Sequence, residues 1–479
     1  VAASPEERHE FARDLGSRLP EGFVLGAATS AFQIEGATHE GGRGESVWDA
    51  FTAQAGRIAG RATADRATDH FHRVAEDVAL LHDLGVDSYR FSFAWPRLQP
   101  EGRGALNRAG VAFYDRLLDA LLTAGIAPMA TLFHWDNPSA LIGGWFARDT
   151  ALRFGDFAYA MGEEFGDRIR MWATINEPAT VTLDGYALGL HAPGATRLFN
   201  ALPAAHHQLL GHGLAVQALR AADVAGQIGI VNVHSPVVPA THSEADVTFA
   251  ELFDLLHNRI FADPVLLGRY PGAPEGFEPL FSALADVDPA DLVTIAQPLD
   301  FYGLNYYMPS RIAAGSGSGN TPDGASDAMR SLPFHLEPWP DYPATGFGWP
   351  VAPEFLGVAL TELAERYGQS LPPVYITENG ASYPDAIELD ESDGSRHVHD
   401  GWRIDYLAGH LDAAVRAAQP GAPAAAIELR GYYVWSLLDN FEWAAGYTQR
   451  FGLVHVDFET FDRTPKDSYR WLRMVAESR

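Results

Sequence analysis

Eight short apolar runs, spread along the whole chain and separated by longer amphipathic stretches, limit what this sequence can fold into. The runs read as strands near Phe23–Thr29, Ser88–Phe93, Pro128–Phe133, Arg170–Ile175, Gln227–Val233, Phe301–Leu304, Val374–Thr377 and Tyr432–Ser436. Helical periodicity lies between them, for example at Thr68–Leu84, Arg108–Ala124, Ala151–Phe165, Leu202–Ala222 and Ala352–Tyr367. Gly85, Gly125 and Gly166 stand where such helices should stop. Eight strand–helix units predict an α/β chain folded as a single (β/α)8 barrel. No shift in composition marks a second domain. Residues 1–18 read as an N-terminal arm and 19–479 as the barrel domain.

Polar and aromatic residues follow the strand ends: Gln33, Arg90, His134, Asn176 with Glu177, Asn305 with Tyr307, Glu378, and Trp435. Active sites of such barrels sit at the C-terminal ends of the strands. Two of these ends share one design. Trp172-Ala173-Thr174-Ile175-Asn176-Glu177-Pro178 and Tyr375-Ile376-Thr377-Glu378-Asn379-Gly380 are both apolar runs that end in a glutamate beside an asparagine. Two carboxyl groups delivered by separate strands suit glycoside hydrolysis. One serves as proton donor and the other as nucleophile or base, on either side of a sugar–oxygen bond.

Composition narrows the partners. With 62 acidic and 34 basic residues the formal net charge is −28, which disfavours nucleic acid and anionic membrane surfaces. Lys466 is the single lysine, so nearly all positive charge is arginine. There are no cysteines, which excludes disulfides, thiol nucleophiles and cysteine–metal sites. Val1–Arg8 has no apolar core of a signal peptide and no run reaches membrane-spanning length, so a cytoplasmic location is the expectation. Aromatic side chains suit sugar-ring stacking, although most of the 11 tryptophans and 17 tyrosines are expected in the core.

Further motifs complete an ordered set: Phe32-Gln33-Ile34-Glu35-Gly36, Tyr89-Arg90-Phe91-Ser92-Phe93-Ala94-Trp95-Pro96-Arg97, and Leu132-Phe133-His134-Trp135-Asp136. Beyond them come Asp300-Phe301-Tyr302-Gly303-Leu304-Asn305-Tyr306-Tyr307, Trp435-Ser436-Leu437-Leu438-Asp439-Asn440-Phe441-Glu442-Trp443, Phe451-Gly452-Leu453, and Arg463-Thr464-Pro465-Lys466-Asp467-Ser468. Together with the two glutamate motifs, the chain from about Leu19 to about Trp471 resembles a family 1 glycoside hydrolase of the β-glucosidase type. The resemblance implies removal of terminal β-D-glucosyl residues from β-glucosides and short cello-oligosaccharides by double displacement.

The resemblance also assigns roles. Glu177 matches the acid/base and Glu378 the nucleophile, with Arg90 and Tyr307 supporting Glu378 and Asn305 beside them. Gln33, His134, Asn176, Glu442 and Trp443 match the sugar-binding subsite, Trp435 its apolar platform, and Phe451 its lining. Trp349 matches an aglycone-side residue. The two carboxyl groups are expected about 5–5.5 Å apart. No metal and no organic cofactor is implied.

A 6-phospho-β-glycosidase is the runner-up, but Glu442, Gln449 and Phe451 stand where that group carries phosphate-binding residues, and a carboxylate there would repel phosphate. A non-catalytic sugar-binding barrel would lack one or both glutamates. The family usually carries tryptophan where Leu25 stands, so altered packing is expected at the first strand. His206, His207 and His212 are read as packing residues, since their spacing is not that of a metal site. His397 and His399 are read as surface residues. Ala313–Ala328 and Asp385–Asp400 read as solvated loops, and Gly315–Gly319 is not a phosphate loop because no Lys-Ser/Thr follows. Oligomeric state and natural aglycone are not legible.

Overall fold

A computed structural model describes residues 4–316, 326–390, 392 and 394–479. Eight parallel strands close into a barrel in the order of the chain: β1 (Val24–Ala28), β2 (Ser88–Ser92), β3 (Ala127–Phe133), β4 (Met171–Asn176), β5 (Gln227–Val233), β6 (Phe301–Asn305), β7 (Val374–Asn379) and β8 (Leu429–Trp435). Closure joins β1 to β8, with Ala28 opposite Trp435. These are the eight runs expected, with ends within a few residues. Nearly every strand residue is buried, because helices cover the outer face and side chains fill the interior.

The helices expected from periodicity form as α2 (His70–Leu84), α3 (Arg108–Thr123), α4 (Arg148–Phe165), α5 (Leu202–Ala221) and α7 (Glu354–Tyr367), where α1 is Pro5–Ser17 and α6 is Pro289–Ile295. Helices α8 (Gly401–Ala417) and α9 (Asp467–Glu477) finish the outer ring. Gly85 and Gly125 adopt the left-handed conformation that ends a helix, with φ of 76° each. Gly166 ends α4 while still right-handed.

Residues 4–18 fold mainly as α1, which Ser4 caps reciprocally with Glu7. Its Ala12 and Leu15 are fully buried, and the Trp471 indole of α9 donates to the Arg8 carbonyl at 3.1 Å. Leu25 is buried in the apolar layer outside the barrel. The expected loop at 313–328 is shorter than anticipated: a strand, Ser310–Ala314, enters it and a short helix, Asp327–Arg330, ends it, while 317–325 lie outside the described residues. Within 385–400, Glu388–Leu389 pairs antiparallel with Arg396–His397, so turn-rich sequence here makes a hairpin. Among the described residues no helix is long and apolar enough to cross a membrane.

Both strands that carry a motif glutamate lose regular register just before it. The β4–β5 register shifts between Ala173 and Asn176, and the β6–β7 register shifts between Ile376 and Glu378. An irregularity of this kind re-aims the side chains that follow it. Gly380 then passes so close to β8 that a Cβ would lie 1.8 Å from the Trp435 carbonyl oxygen. The glycine is required by that approach.

Candidate active site

A cavity of about 320 Å3 opens at the C-terminal ends of the strands. Glu177, Glu378, His134, Tyr307, Trp435, Glu442, Trp443, Phe451 and Trp349 all line it. The other expected site residues, Arg90, Asn176, Asn305 and Gln33, stand directly behind this wall and are fully buried.

Glu378 is held by two donors. Arg90 Nη1 donates to its Oε1 at 2.5 Å and the Tyr307 hydroxyl to its Oε2 at 2.7 Å. Glu177 is held by neutral donors, Asn305 Nδ2 to Oε1 at 2.6 Å and the Thr180 hydroxyl to Oε2 at 2.7 Å. Burial raises the Glu177 carboxyl to about 7, the negative charge of Glu378 adding to it, while the two hydrogen bonds and Arg90 oppose. Glu442 is pushed further, to about 8, by burial first and then by Glu378, with the Trp435 hydrogen bond opposing.

A hydrogen-bonded chain runs behind the two catalytic candidates. Asn176 Oδ1 accepts from Arg90 Nη2 at 2.6 Å and from Asn305 Nδ2 at 3.1 Å. Its Nδ2 therefore faces His134 Nε2, 3.2 Å away, and donates to it. Burial, with Arg90 adding, holds the His134 imidazole well below its usual range and so neutral. The ring proton is thereby assigned to Nδ1, a buried atom with no protein partner. His134 lines the cavity with its ring, while Nδ1 itself is closed off from it. Gln33 Nε2 donates to Asn440 Oδ1 at 3.0 Å and the Phe441 carbonyl at 2.9 Å, with Glu442 Oε2 at 3.5 Å. It braces the Glu442 segment from behind.

Three residues at the site adopt left-handed backbone: Trp135 (φ 79°), Glu177 (φ 48°) and Trp443 (φ 48°). For non-glycine residues this is strain held in place by surrounding structure. Trp135 and Trp443 pack with ring centroids 4.4 Å apart, and the Trp135 indole donates to the Asn176 carbonyl at 2.9 Å. Opposite them, Phe347 stacks on Trp349 at 4.7 Å with 10° between planes.

Several lining residues were not singled out from sequence: Thr180, Asp184, His234, Ser235, His257, Ser310 and Phe347. Thr180 alone left a signal. It sits three residues after Glu177, with Pro178 opening a helix between them, the spacing at which a side chain reaches back to the preceding turn. Asp184 lies on the helical segment Val181–Ala187 after β4, and the others come from the connections after β5 and β6.

The histidines read as packing residues are bonded as such. His206 contacts the Tyr270 hydroxyl and Asp291, each at 3.0 Å, His207 faces the Trp145 carbonyl at 2.9 Å, and His212 the Thr174 hydroxyl at 2.6 Å. Among the described residues no group of three or more histidines and carboxylates is arranged to hold a metal ion.

Closed barrel, paired carboxyl groups and aromatic walls define a glycosidase-type site. The family model "Glycosyl hydrolase family 1" matches residues 15–479, and the chain belongs to that family. It is 42% identical to a beta-glucosidase of an Agrobacterium species over 96% of both chains. It is 40% identical to Beta-glucosidase A of Thermotoga maritima, over 96% of this chain and 98% of that one. The crystal structure of the psychrophilic beta-glucosidase BglU from Micrococcus antarcticus superposes with a TM-score of 0.89 at 42% identity, covering 98% and 99% of the two chains.

Proposed function

We propose that the protein is a retaining β-glucosidase that works by double displacement. The observation that carries this is the pair of carboxyl groups in one cavity with opposed surroundings. Glu177 is buried, raised to about 7 and held by neutral donors; Glu378 is held by a guanidinium and a phenol.

In the first step a Glu378 oxygen attacks the anomeric carbon. Glu177 gives its proton to the departing oxygen, and a glycosyl-enzyme ester forms. Esterification removes the Glu378 charge that helps hold the Glu177 value up, so Glu177 becomes a stronger acid and persists as carboxylate. It then takes a proton from water as that water attacks the anomeric carbon and Glu378 leaves. Two inversions give net retention.

The sugar is assigned to the inner end of the cavity. Trp435 offers an apolar face, His134 a neutral imidazole, and Glu442 a carboxyl that bonds hydroxyl groups. Glu442 puts a carboxyl group where a phosphate would need a cation, which favours unphosphorylated glucosides. Trp349 and Phe347 flank the outer end, where an aglycone or second sugar ring of a short oligosaccharide would lie. Early-time NMR of the sugar released from an aryl β-glucoside tests the reading. β-Glucose should appear first; α-glucose as the first product overturns it.

A further inference from the structure

Lys466, the chain's single lysine, is fully buried and takes no part in the chemistry above. Its Nζ donates to Asp385 Oδ2 at 2.5 Å and to Asp439 Oδ1 at 2.7 Å. These carboxylates belong to two different segments. Asp385 lies on the segment that leaves β7 beyond Glu378, and Asp439 on the one that leaves β8 towards Glu442 and Trp443.

Asp439 also gathers the returning strand of its own loop. It accepts from the Gly452 N–H at 2.9 Å and from Arg450 Nη1 at 2.7 Å. Gly452 approaches so closely that a Cβ would lie 2.1 Å from the Asp439 backbone nitrogen. The loop carrying Glu442, Trp443 and Phe451 is therefore closed at its base on Asp439. Arg403 repeats the tie between the segments. It donates to Asp385 Oδ2 at 2.8 Å, to the Arg450 carbonyl at 2.7 Å and to the Ala381 carbonyl at 3.1 Å. Lys466, Arg403 and Arg450 face Asp385, Asp400 and Asp439, so the cluster is balanced in charge.

Removing so many charges from water offsets most of what their attraction returns, so net stability is a poor account of the cluster. Apart from histidine, every other basic side chain in the sequence is arginine. At this crossing a compact ammonium points separate donors at two carboxylates on different segments, whereas a planar guanidinium fork matches one carboxylate best.

We propose that Lys466 is a positioning residue for the glucosyl subsite. It locks the β8 segment carrying Glu442, Trp443 and Phe451 to the β7 segment carrying Glu378. The groups that hold the sugar and the group that attacks it then keep one spacing. This rests on the assignment of Glu442 to the sugar.

Two measurements test it. Enzyme made with lysine labelled with 13C at Cε gives one lysine signal. An iminosugar glucose mimic, added to saturation as judged by inhibition, should move that signal by more than its linewidth. A signal unmoved at saturation overturns the proposal, and no variant has to fold for this result. The second is a mutational cycle read as kcat/KM on an aryl β-glucoside per active site. The paired change Lys466→Gln with Asp439→Asn keeps the charge balance. It should cost about tenfold or more in the parent enzyme and less than about threefold in the Glu442→Ser background. Equal losses in both backgrounds overturn the proposal, because general loosening does not depend on Glu442. If Glu442→Ser alone leaves kcat/KM unchanged, the Glu442 assignment itself fails and the proposal falls with it, a result distinct from equal losses.

Discussion

At the end of β4, Glu177 meets the Asn305 amide at 2.6 Å and the Thr180 hydroxyl at 2.7 Å. At the end of β7, Glu378 meets the Arg90 guanidinium at 2.5 Å and the Tyr307 phenol at 2.7 Å. The two strands deliver their glutamates by one local device: an apolar run, a register shift, and an asparagine beside the acid. What separates them is which neighbours reach across the barrel. Arg90 comes from β2 and Tyr307 from beyond β6, while Asn305 sits at the end of β6 itself. On the mechanism proposed above, the barrel turns two similar strand ends into a proton donor and a nucleophile by choosing their partners.

The most severe way to break this comparison is Glu378→Gly. With no nucleophile no ester forms, and kcat on natural glycosides should fall by about 10^4-fold or more. Azide entering the vacated space from the opposite face should give the α-glucosyl azide. Glu177→Ala should cost about 10^2–10^4-fold on alkyl glucosides, which need the proton. On a dinitrophenyl glucoside the ester should form nearly normally and then accumulate, and azide should release it as the β-glucosyl azide. Product stereochemistry by NMR checks both variants; an exchange of the two azides would mean exchanged roles.

Glu442→Ser should cost about 1.5–3 kcal/mol in kcat/KM for aryl glucosides, since serine cannot replace a carboxyl group bonded to two hydroxyls. Steady-state kinetics decide it, and unchanged values would remove Glu442 from the site.

The difference between the two glutamates should also appear in the pH profile. Glu177 must be protonated to act as acid, and its carboxyl is raised to about 7. Activity in kcat/KM should therefore be lost as pH rises through about 7, on a limb that Glu442, at about 8, shares in part. Removing the Glu378 charge in Glu378→Gln should lower the Glu177 value, read by carboxyl 13C NMR. Thr180→Val removes a bond that favours the ionised form and should move the alkaline limb upward, by about half a unit to one unit. The smallest effect expected is none: exhaustive chelation should leave kcat and KM unchanged. Loss restored by one particular divalent ion would contradict the mechanism.

Much of the scaffold was legible because each barrel strand is buried on both faces and so reads as an apolar run bounded by turns. Glu177, Glu378, His134, Trp435 and Glu442 were legible because they stand at or just beyond strand ends and belong to specific motifs. Gln33 and Asn176, also legible from their motifs, stand fully buried beside Glu442 and His134, where their amides are bonded to Asn440, the Phe441 carbonyl, Arg90 and His134. The outer part of the cavity escaped. His234, Ser235, His257 and Ser310 meet Trp349 and Phe347 only because the connections after β5 and β6 fold over the same barrel end, and nothing in their spacing records that. The hairpin at Glu388–His397 was hidden for a similar reason, since its strands are two residues long and carry no alternation to read.

The sequence alone determined the order of strands and helices, the strongly negative net charge, and the two glutamates with their neighbouring asparagines. Those are local properties: periodicity, composition and short motifs. Tertiary structure alone decided that a guanidinium falls on Glu378 and neutral donors on Glu177, that the Asn176 amide falls on His134 Nε2, and that the one lysine ties two active-site segments together. Each of these depends on side chains far apart in the chain meeting in a buried site. There low dielectric makes a partner's charge and distance decisive, and sequence spacing carries neither.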